Sequence, residues 1–178
     1  MDVVQEISKV QNQLGTYLTG VTWVKKEAMH LTLIFLGDNL KTALIPDILT
    51  QMKSAAEGFS SFSISFKGVT AFPDLLRPRV VVSEVDGGYS PLSVLKKRLD
   101  RSLSSLGFPV ETRPFKGHLT LGRIKKNIDP KMLRKLLFDH QAFQTRFFEA
   151  SPMTLFRSEL RPSGPIYHKL DSISFSSE

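Results

Sequence analysis

The sequence contains no cysteine, and this absence removes several kinds of chemistry. A chain without thiols has no disulfide, no thiolate metal site and no cysteine nucleophile. The sequence also lacks an apolar run near the roughly 20 residues that a membrane helix needs. Its opening stretch, MDVVQEISKVQNQL, carries acids and amides where a signal peptide needs a basic start and an apolar block. Together these absences predict a cytoplasmic protein that has no membrane partner.

Histidine is scarce as well, but its placement follows a pattern. Only four of the 178 residues are histidines, and two of them open the same tetrapeptide, HLTL, at 30–33 and at 118–121. A lone histidine in a strand is more often structural than catalytic. A histidine and a threonine that recur at the same offset indicate a shared function.

Basic residues outnumber acidic ones, which gives a net charge of +7. An excess of lysine and arginine favours phosphate-rich partners through counterion release. The basic residues are spread along the chain and form no long basic tail. Charge alone therefore leaves two interpretations open, a nucleic-acid partner or a basic surface with no specific partner.

Apolar residues alternate between helical and strand spacing, which predicts an α+β fold. The hydrophobic content of 41% is enough for a core in a chain of this length. Helical spacing is found at 4–14, 42–59, 90–108 and 130–140. Strand patterns are found at 20–24, 29–37, 62–69, 78–85, 117–124, 143–150, 153–160 and 165–175.

The order of these predicted elements repeats once along the chain. Residues 1–86 and 87–178 each contain a helix that ends in Leu-Gly, the HLTL strand, a second helix and further strands. This pattern indicates the duplication of a whole lobe and not a solenoid of short repeats. It predicts a single domain of two related lobes.

The repeated tetrapeptide places two kinds of side chain on one face. In a strand, residues i and i+2 point the same way, so His30 shares a face with Thr32, and His118 with Thr120. If the two strands lie side by side, two imidazoles and two hydroxyls converge. Phosphodiester cleavage uses such a set, with one histidine as base, one as acid, and hydroxyl donors to the phosphate oxygens. No metal is required.

Two other interpretations of the paired motifs stay open at this point. Duplication can preserve a purely structural pair of histidines. A dinuclear metal site is a weaker alternative, because the two strands carry no carboxylate ligands beside the histidines.

Longer segments surround the motifs: MHLTLIFLG at 29–37, RPFKGHLTLGRI at 113–124 and LRPSGPIYHKL at 160–170. They resemble the two-histidine (2H) phosphoesterases, specifically the RNA 2′,3′-cyclic phosphodiesterases, also called 2′-5′ RNA ligases. The resemblance covers nearly the whole chain. It implies two pseudo-symmetric lobes, each an antiparallel sheet with helices on its outer face, around a central cleft.

The resemblance also implies roles for individual residues. His30 is the expected proton donor and His118 the expected proton acceptor. Thr32, Thr120 and Arg123 are expected to bind the substrate phosphate. By strand parity, however, Arg123 points away from the face of His118, so its approach to phosphate requires the strand to end or twist there.

The substrate that the resemblance implies is RNA with a 2′,3′-cyclic phosphate end, tRNA fragments included. A monomer without cofactor or metal would hydrolyse it to a 2′-phosphomonoester, and 2′-5′ ligation is a second activity that the family's other name implies. Two alternatives remain: a phosphodiesterase acting on small cyclic nucleotides or a related cyclic phosphate, and a non-catalytic RNA-binding module. The second is disfavoured, because binding alone needs no paired proton-transfer groups.

The chain departs from the family pattern at its start. Family members usually open with a short strand before the first helix, whereas this sequence begins almost directly in that helix. The departure predicts an open sheet edge and removes no catalytic candidate.

Several other residues are secondary candidates. His140, at a predicted helix end, and His168, in the last predicted strand, are expected to be structural. Phe72 and Tyr167 can stack on a base, although packing is the default role in a chain with 13 phenylalanines. The candidates for further contacts to RNA phosphates are Arg77, Arg79 and Arg161.

Overall fold

The computed structural model describes residues 2–161 and 164–176, and it confirms the predicted α+β class. Strand pairing is antiparallel throughout the four-stranded sheet and in the pair formed by the last two strands. Short 3-10 helices are found at Lys26–Ala28 and Thr42–Leu44. The described helices and strands are, in chain order, α1 (Val3–Gly15), β1 (Val21–Trp23), α2 (Ile45–Ala56), β2 (Phe62–Ile64), β3 (Phe66–Phe72), β4 (Val80–Val85), α3 (Tyr89–Ser104), β5 (His118–Ile124), α4 (Pro130–Asp139), β6 (Phe148–Ala150), β7 (Met153–Glu159) and β8 (Ile166–Ile173).

The chain divides into two compact units, and each unit takes segments from both halves of the sequence. Unit 1 contains the chain up to Thr32 together with Ile64–Gly88 and Lys116–Phe148. Unit 2 contains Leu33–Ser63, Tyr89–Phe115 and the chain from Glu149 onwards. Neither unit coincides with one copy of the predicted repeat. All five predicted site residues belong to unit 1.

The sheet of unit 1 has the strand order β1-β5-β4-β3 and one buried face. Val81, Leu119 and Leu121 point to that face and are almost inaccessible to solvent. The helix α1 packs on β1 and β5 through an apolar stripe that includes Ile7 and Leu14. On the other face Val82 is also buried, but the residues of β5 that point there are at least partly exposed and are available for chemistry.

A buried glutamine connects α1 to the strands beside it. Gln11 is only 7% exposed, and its Nε2 donates to the carbonyl oxygens of Val24, at 2.9 Å, and Leu121, at 2.8 Å. The backbone N–H of Val24 also donates to the Leu121 carbonyl, at 2.9 Å. Because a carbonyl buried without a donor is costly, this amide stabilises the point where the chain leaves β1 and runs beside β5.

Unit 2 has its own hydrophobic core, built from α2, α3 and the β7–β8 hairpin. The helices α2 and α3 pack on each other, and α2 also contacts β8. The fully or nearly buried members of this core are Ile48, Met52, Ala55, Ala56, Leu99, Leu103, Met153 and Leu155.

The prediction of a strand over 29–37 was wrong. Only Leu31 makes a strand-like pairing in this segment, an isolated antiparallel bridge to Leu119. The apolar residues that follow, Leu33, Ile34 and Leu36, pack against the core of unit 2. Their apolar pattern therefore reflects burial in that core and not membership of the sheet.

The prediction of a strand over 143–150 was wrong in its first part, since β6 covers only Phe148–Ala150. Thr145 lies beside Phe66 of β3 and replaces one ladder bond with its side chain. Its backbone N–H donates to the Phe66 carbonyl and its Oγ1 accepts from the Phe66 N–H, both at 2.9 Å. A hydroxyl that substitutes for a carbonyl in this way interrupts the regular ladder.

The strand predicted over 62–69 is divided between β2 and β3, which belong to different sheets. The remaining helix and strand predictions agree with the structure apart from their ends. The helix predicted over 42–59 is a 3-10 turn followed by α2, with Pro46 in the first turn of that helix. Asp129 caps α4 by accepting from the backbone N–H of Lys131, at 3.0 Å. Within residues 2–161 and 164–176, no helix has the length and apolar character needed to cross a membrane.

The buried amide of Gln11 generates a stability prediction. Gln11→Met keeps the length of the side chain but removes the donor to two carbonyls, so we expect a loss of about 1–3 kcal/mol in the free energy of unfolding. Chemical denaturation monitored by circular dichroism measures it. The matched control is Gln13→Met on the exposed side of α1, which is expected to change stability much less. Equal stability of the two variants would contradict the structural role of Gln11.

Candidate active site

The second HLTL motif forms the first part of β5. His118 lies opposite Glu84 of β4, and Thr120 lies opposite Val82. Directly opposite residues in a sheet point to the same face, so His118 and Thr120 project from one side. The intervening Leu119 is buried on the other side. The structure thus confirms the face predicted from the alternation of this motif.

The first HLTL motif is aligned with the second by a single bridge. Leu31 pairs with Leu119 in antiparallel sense. Because the two segments run in opposite directions, His30 lies opposite Thr120, and Thr32 lies opposite His118. In this register the Cβ atoms of opposite residues are roughly 5 Å apart and those of diagonal neighbours, here the two histidines, roughly 7–8 Å. The two imidazoles and two hydroxyls therefore share one face, each histidine beside the threonine of the other motif.

Both histidines make the same kind of backbone contact. The Nδ1 of His30 lies 2.8 Å from the carbonyl oxygen of Ala28, and the Nδ1 of His118 lies 2.7 Å from that of Lys116. A carbonyl oxygen only accepts, so Nδ1 carries the proton in both rings. Nε2 is then the nitrogen of each ring whose chemistry allows it to accept a proton.

The two threonines present hydroxyl groups on the same face. Thr32 is exposed and Thr120 is half-buried. In the described part of the chain, 2–161 and 164–176, neither hydroxyl has a hydrogen-bond partner. Each hydroxyl can therefore donate to an incoming oxygen atom, such as a non-bridging oxygen of a phosphate.

A β-bulge places Arg123 on the face of the motifs. In β4, Val80 and Val82 are two residues apart and share a face, and they lie opposite Arg123 and Thr120, which are three residues apart. The extra residue in β5 reverses the strand parity beyond Thr120. Arg123 therefore projects, exposed, from the side that carries His118. The twist that the sequence required for Arg123 is supplied by this bulge.

Phe72 contacts His118. The sequence analysis predicted Phe72 only as a secondary candidate that could stack on a base. Its ring lies edge-on to the imidazole of His118, with 4.8 Å between the ring centroids. The ammonium of Lys116 lies 5.8 Å from the centroid of the Phe72 ring. Phe72 pairs with Val80, which places it on the face of the motifs. The signal in the sequence was that Phe72 and Tyr167 occupy corresponding loop–strand regions of the two predicted lobes, and packing explained both positions equally well.

The other candidate residues lie in different surroundings. His140 caps α4, with its Nδ1 2.8 Å from the Leu136 carbonyl, as expected of a structural histidine. In unit 2, Arg161 and His168 both bond to Glu159, at 2.8 and 3.1 Å, and these bonds hold the pKa of the Glu159 carboxyl below its ordinary value. Arg77 and Arg79 are exposed in unit 1, in the loop after β3. Within the described residues, no group of three or more histidine or acidic side chains is arranged to hold a metal ion.

Two histidine-threonine pairs, brought together across one antiparallel bridge, are the arrangement of a phosphoesterase that uses two histidines. The sequence comparison gives the same class. A family model described as LigT like Phosphoesterase matches residues 2–82 and matches again over residues 86–167. The chain therefore belongs to the LigT-like phosphoesterases, and the resemblance predicted from the motifs is confirmed.

Individual relatives and structures agree with this assignment. An RNA 2′,3′-cyclic phosphodiesterase of Aeropyrum pernix is 31% identical, over 98% of this chain and 98% of its own length. One of Thermotoga maritima is 34% identical, over 98% of this chain and 92% of its own. A crystal structure of a Thermus thermophilus protein matches with a TM-score of 0.80 and 25% identity, covering 99% of this chain and 93% of the other.

The two threonine hydroxyls generate a prediction about phosphate contacts. Thr32→Val and Thr120→Val remove a donor and keep the side-chain shape, so each is expected to lower turnover of a cyclic phosphate on the order of 10²-fold. Thr32→Ser and Thr120→Ser keep the hydroxyl and should be much milder. Steady-state kinetics and thermal melts are measured for all four. The control is Thr154→Val in β7, where no loss of turnover is expected.

A structural role for the two threonines gives the opposite pattern. Valine suits a strand as well as threonine does, and serine suits it less well. Valine variants that stay fully active, beside serine variants that lose activity and stability together, would exclude the donor role.

Proposed function

We propose that this chain hydrolyses the 2′,3′-cyclic phosphate at the end of an RNA and leaves a 2′-phosphomonoester, without a metal ion. The observation that carries the proposal is the register of the motifs, in which two histidines and two threonine hydroxyls share one sheet face. The names of the relatives from Aeropyrum pernix and Thermotoga maritima support the substrate class. The net charge of +7 suits an RNA substrate.

The chemistry needs one proton removed and one supplied. His118 accepts at Nε2 the proton of the attacking water as its oxygen bonds to phosphorus. His30 donates from Nε2 to the 3′-oxygen as the bond between phosphorus and that oxygen breaks. The phosphate then remains on the 2′-oxygen. The geometry of the two histidines is nearly equivalent, and the family resemblance supplies which is acid and which is base.

The other three residues act on the charge of the phosphate. Negative charge accumulates on the non-bridging oxygens as water attacks. The hydroxyls of Thr32 and Thr120 donate to these oxygens. Each threonine lies opposite the histidine of the other motif, so the two hydroxyls reach the phosphate from opposite sides of the bridge between Leu31 and Leu119. Arg123 adds a positive charge farther along β5 on the same face.

Further parts of the proposal concern the setting of the reaction. We expect a monomer in the cytoplasm, with tRNA fragments among its substrates. In 2′-5′ ligation, the second expected activity, a 5′-hydroxyl replaces water as the nucleophile and the 3′-oxygen departs in the same way. A small cyclic nucleotide is the competing substrate class, since the same four side chains can cleave it. An experiment that uses both kinds of substrate separates the two.

The decisive experiment follows an oligonucleotide that ends in a 2′,3′-cyclic phosphate. It is incubated with the protein in excess chelator, and the position of the product phosphate is identified. His30→Ala and His118→Ala should each lower turnover by about 10²–10⁴-fold, the usual contribution of general acid–base catalysis. Binding of the substrate should change less. His168→Ala, in β8, is the matched control and should retain turnover.

Two results would count against this function. Near-normal turnover in both motif variants would exclude the two-histidine mechanism. A 3′-phosphate product would reverse the proposed direction of ring opening, since the proposal has the 3′-oxygen depart.

The two histidines also predict the pH dependence of the reaction. One must be neutral to accept a proton while the other is protonated to donate one, so the rate should follow a bell-shaped profile. Its two limbs belong to the coupled pair and not to either residue alone. The measurement is kcat/KM against pH, with the control variant His168→Ala in parallel. A rate that stays constant from acid through neutral pH would contradict this division of roles.

A further inference from the structure

The two motif histidines share a backbone contact but differ in the residue that provides it. In each case the carbonyl that accepts from Nδ1 belongs to the residue two positions earlier. That residue is Ala28 in the first motif and Lys116 in the second. The second histidine therefore has a cationic side chain at a position where the first has a methyl group.

The side chain of Lys116 lies near the aromatic ring that also contacts His118. Its ammonium lies 5.8 Å from the centroid of Phe72, and the same ring contacts the imidazole of His118 at 4.8 Å. A cation near the face of an aromatic ring is attracted by the ring quadrupole. The three residues form a closed set of contacts, because the Lys116 carbonyl also accepts from His118. The ammonium and the imidazole thus contact the same aromatic ring.

The charges around Lys116 leave its ammonium available for an anion. In the described ranges, 2–161 and 164–176, no carboxylate lies within ion-pair distance of this ammonium. Glu84 is the acid that lies opposite His118, and Lys67 of β3 lies opposite Glu84 on the same face. The negative charge of Glu84 is therefore itself opposite a cation.

One basic side chain lies at each end of the second motif. Arg123 follows Thr120 on the same face, and Lys116 precedes His118. A cyclic phosphate bound between the histidines and threonines lies between these two charges. The next phosphate along an RNA chain lies one nucleotide away from it, on the 5′ side of the terminal nucleotide.

We propose that Lys116, held over Phe72, forms a second phosphate subsite beside His118 that binds the phosphate on the 5′ side of the terminal nucleotide. The inference rests on the proposed function and deepens it. An RNA end carries this second phosphate, whereas a 2′,3′-cyclic mononucleotide does not. The subsite therefore selects oligonucleotide ends over small cyclic nucleotides.

The test compares two substrates that differ in this phosphate. One is uridine 2′,3′-cyclic monophosphate, and the other is the dinucleotide UpU with a 2′,3′-cyclic phosphate end. The measured quantity is the ratio of their kcat/KM values, in chelator and at several salt concentrations. The wild-type chain is expected to prefer the dinucleotide, and this preference should weaken as salt increases.

Lys116→Met removes the charge but keeps a flexible apolar stem against Phe72. It is expected to lower the ratio by roughly 10-fold, the usual effect of losing one charge-assisted bond to a phosphate. The logarithmic salt dependence for the dinucleotide should become shallower by about 0.7, the value for one contact to a single strand. Lys131→Met, an exposed lysine at the start of α4, is the matched control and should keep both the ratio and the slope.

Variants of Phe72 test whether the ring holds the ammonium. Phe72→Leu should lower the ratio in the same direction as Lys116→Met, and Phe72→Tyr should retain it, because tyrosine keeps a ring. Phe66→Leu is the control on the same strand, since Phe66 is buried on the opposite face of the sheet. If Phe66→Leu lowers kcat/KM, it should lower the value for both substrates by the same factor.

Each outcome decides the inference. An equal loss on both substrates in Lys116→Met would assign Lys116 to the chemical step or the fold and overturn the subsite. An unchanged ratio, or a wild-type chain without preference for the dinucleotide, would also overturn it. In those cases the proposed function remains supported if hydrolysis still requires His30 and His118. Hydrolysis of neither substrate would overturn both.

Discussion

The bridge between Leu31 and Leu119 is the contact on which the candidate site depends. It is a single strand-like pairing, yet it sets the register of both motifs. A shift of one residue would turn every side chain of the first motif to the other face. The bridge itself contributes little stability, so the register has to be maintained by the structure on either side of it.

That support comes from β5 and from α1. Both edges of β5 are occupied, one by β4 and the other by β1 and the bridge. Gln11 bonds to the two carbonyls where β1 ends, and the chain then passes through a 3-10 turn before it reaches His30. The turn also presents the Ala28 carbonyl to His30. The helix, the turn and the strand together orient an imidazole that lies outside any regular strand.

The sequence predicted which side chains share a face better than it predicted the path of the backbone that carries them. Because side chains alternate along a strand, the pairing of His30 with Thr32 and of His118 with Thr120 followed from their spacing. The bulge that reorients Arg123 did not follow from the spacing. It arises because a stretch of β5 contains one residue more than the stretch of β4 opposite it. The alternation of side chains within β5 alone cannot reveal a mismatch with the strand beside it.

The wrong strand prediction over 29–37 has a similar cause. An apolar residue shows that a position is buried but not which core buries it, and Leu33, Ile34 and Leu36 pack against the core of unit 2. The role of Phe72 was equally hidden. Thirteen phenylalanines make packing the default for each of them, and only the three-dimensional arrangement brings this one to His118.

Each unit takes its segments from both halves of the sequence. This arrangement determines when, during synthesis, the protein can become active. Unit 1 requires residues up to Phe148, and unit 2 requires the chain beyond Glu149. Neither unit is complete when the first half of the chain has left the ribosome, although His30 is already present. The first motif can therefore pair with β5 only after about 90 further residues have been synthesised. Long-range closure of this kind slows folding, and it keeps the two motif histidines apart until most of the protein exists.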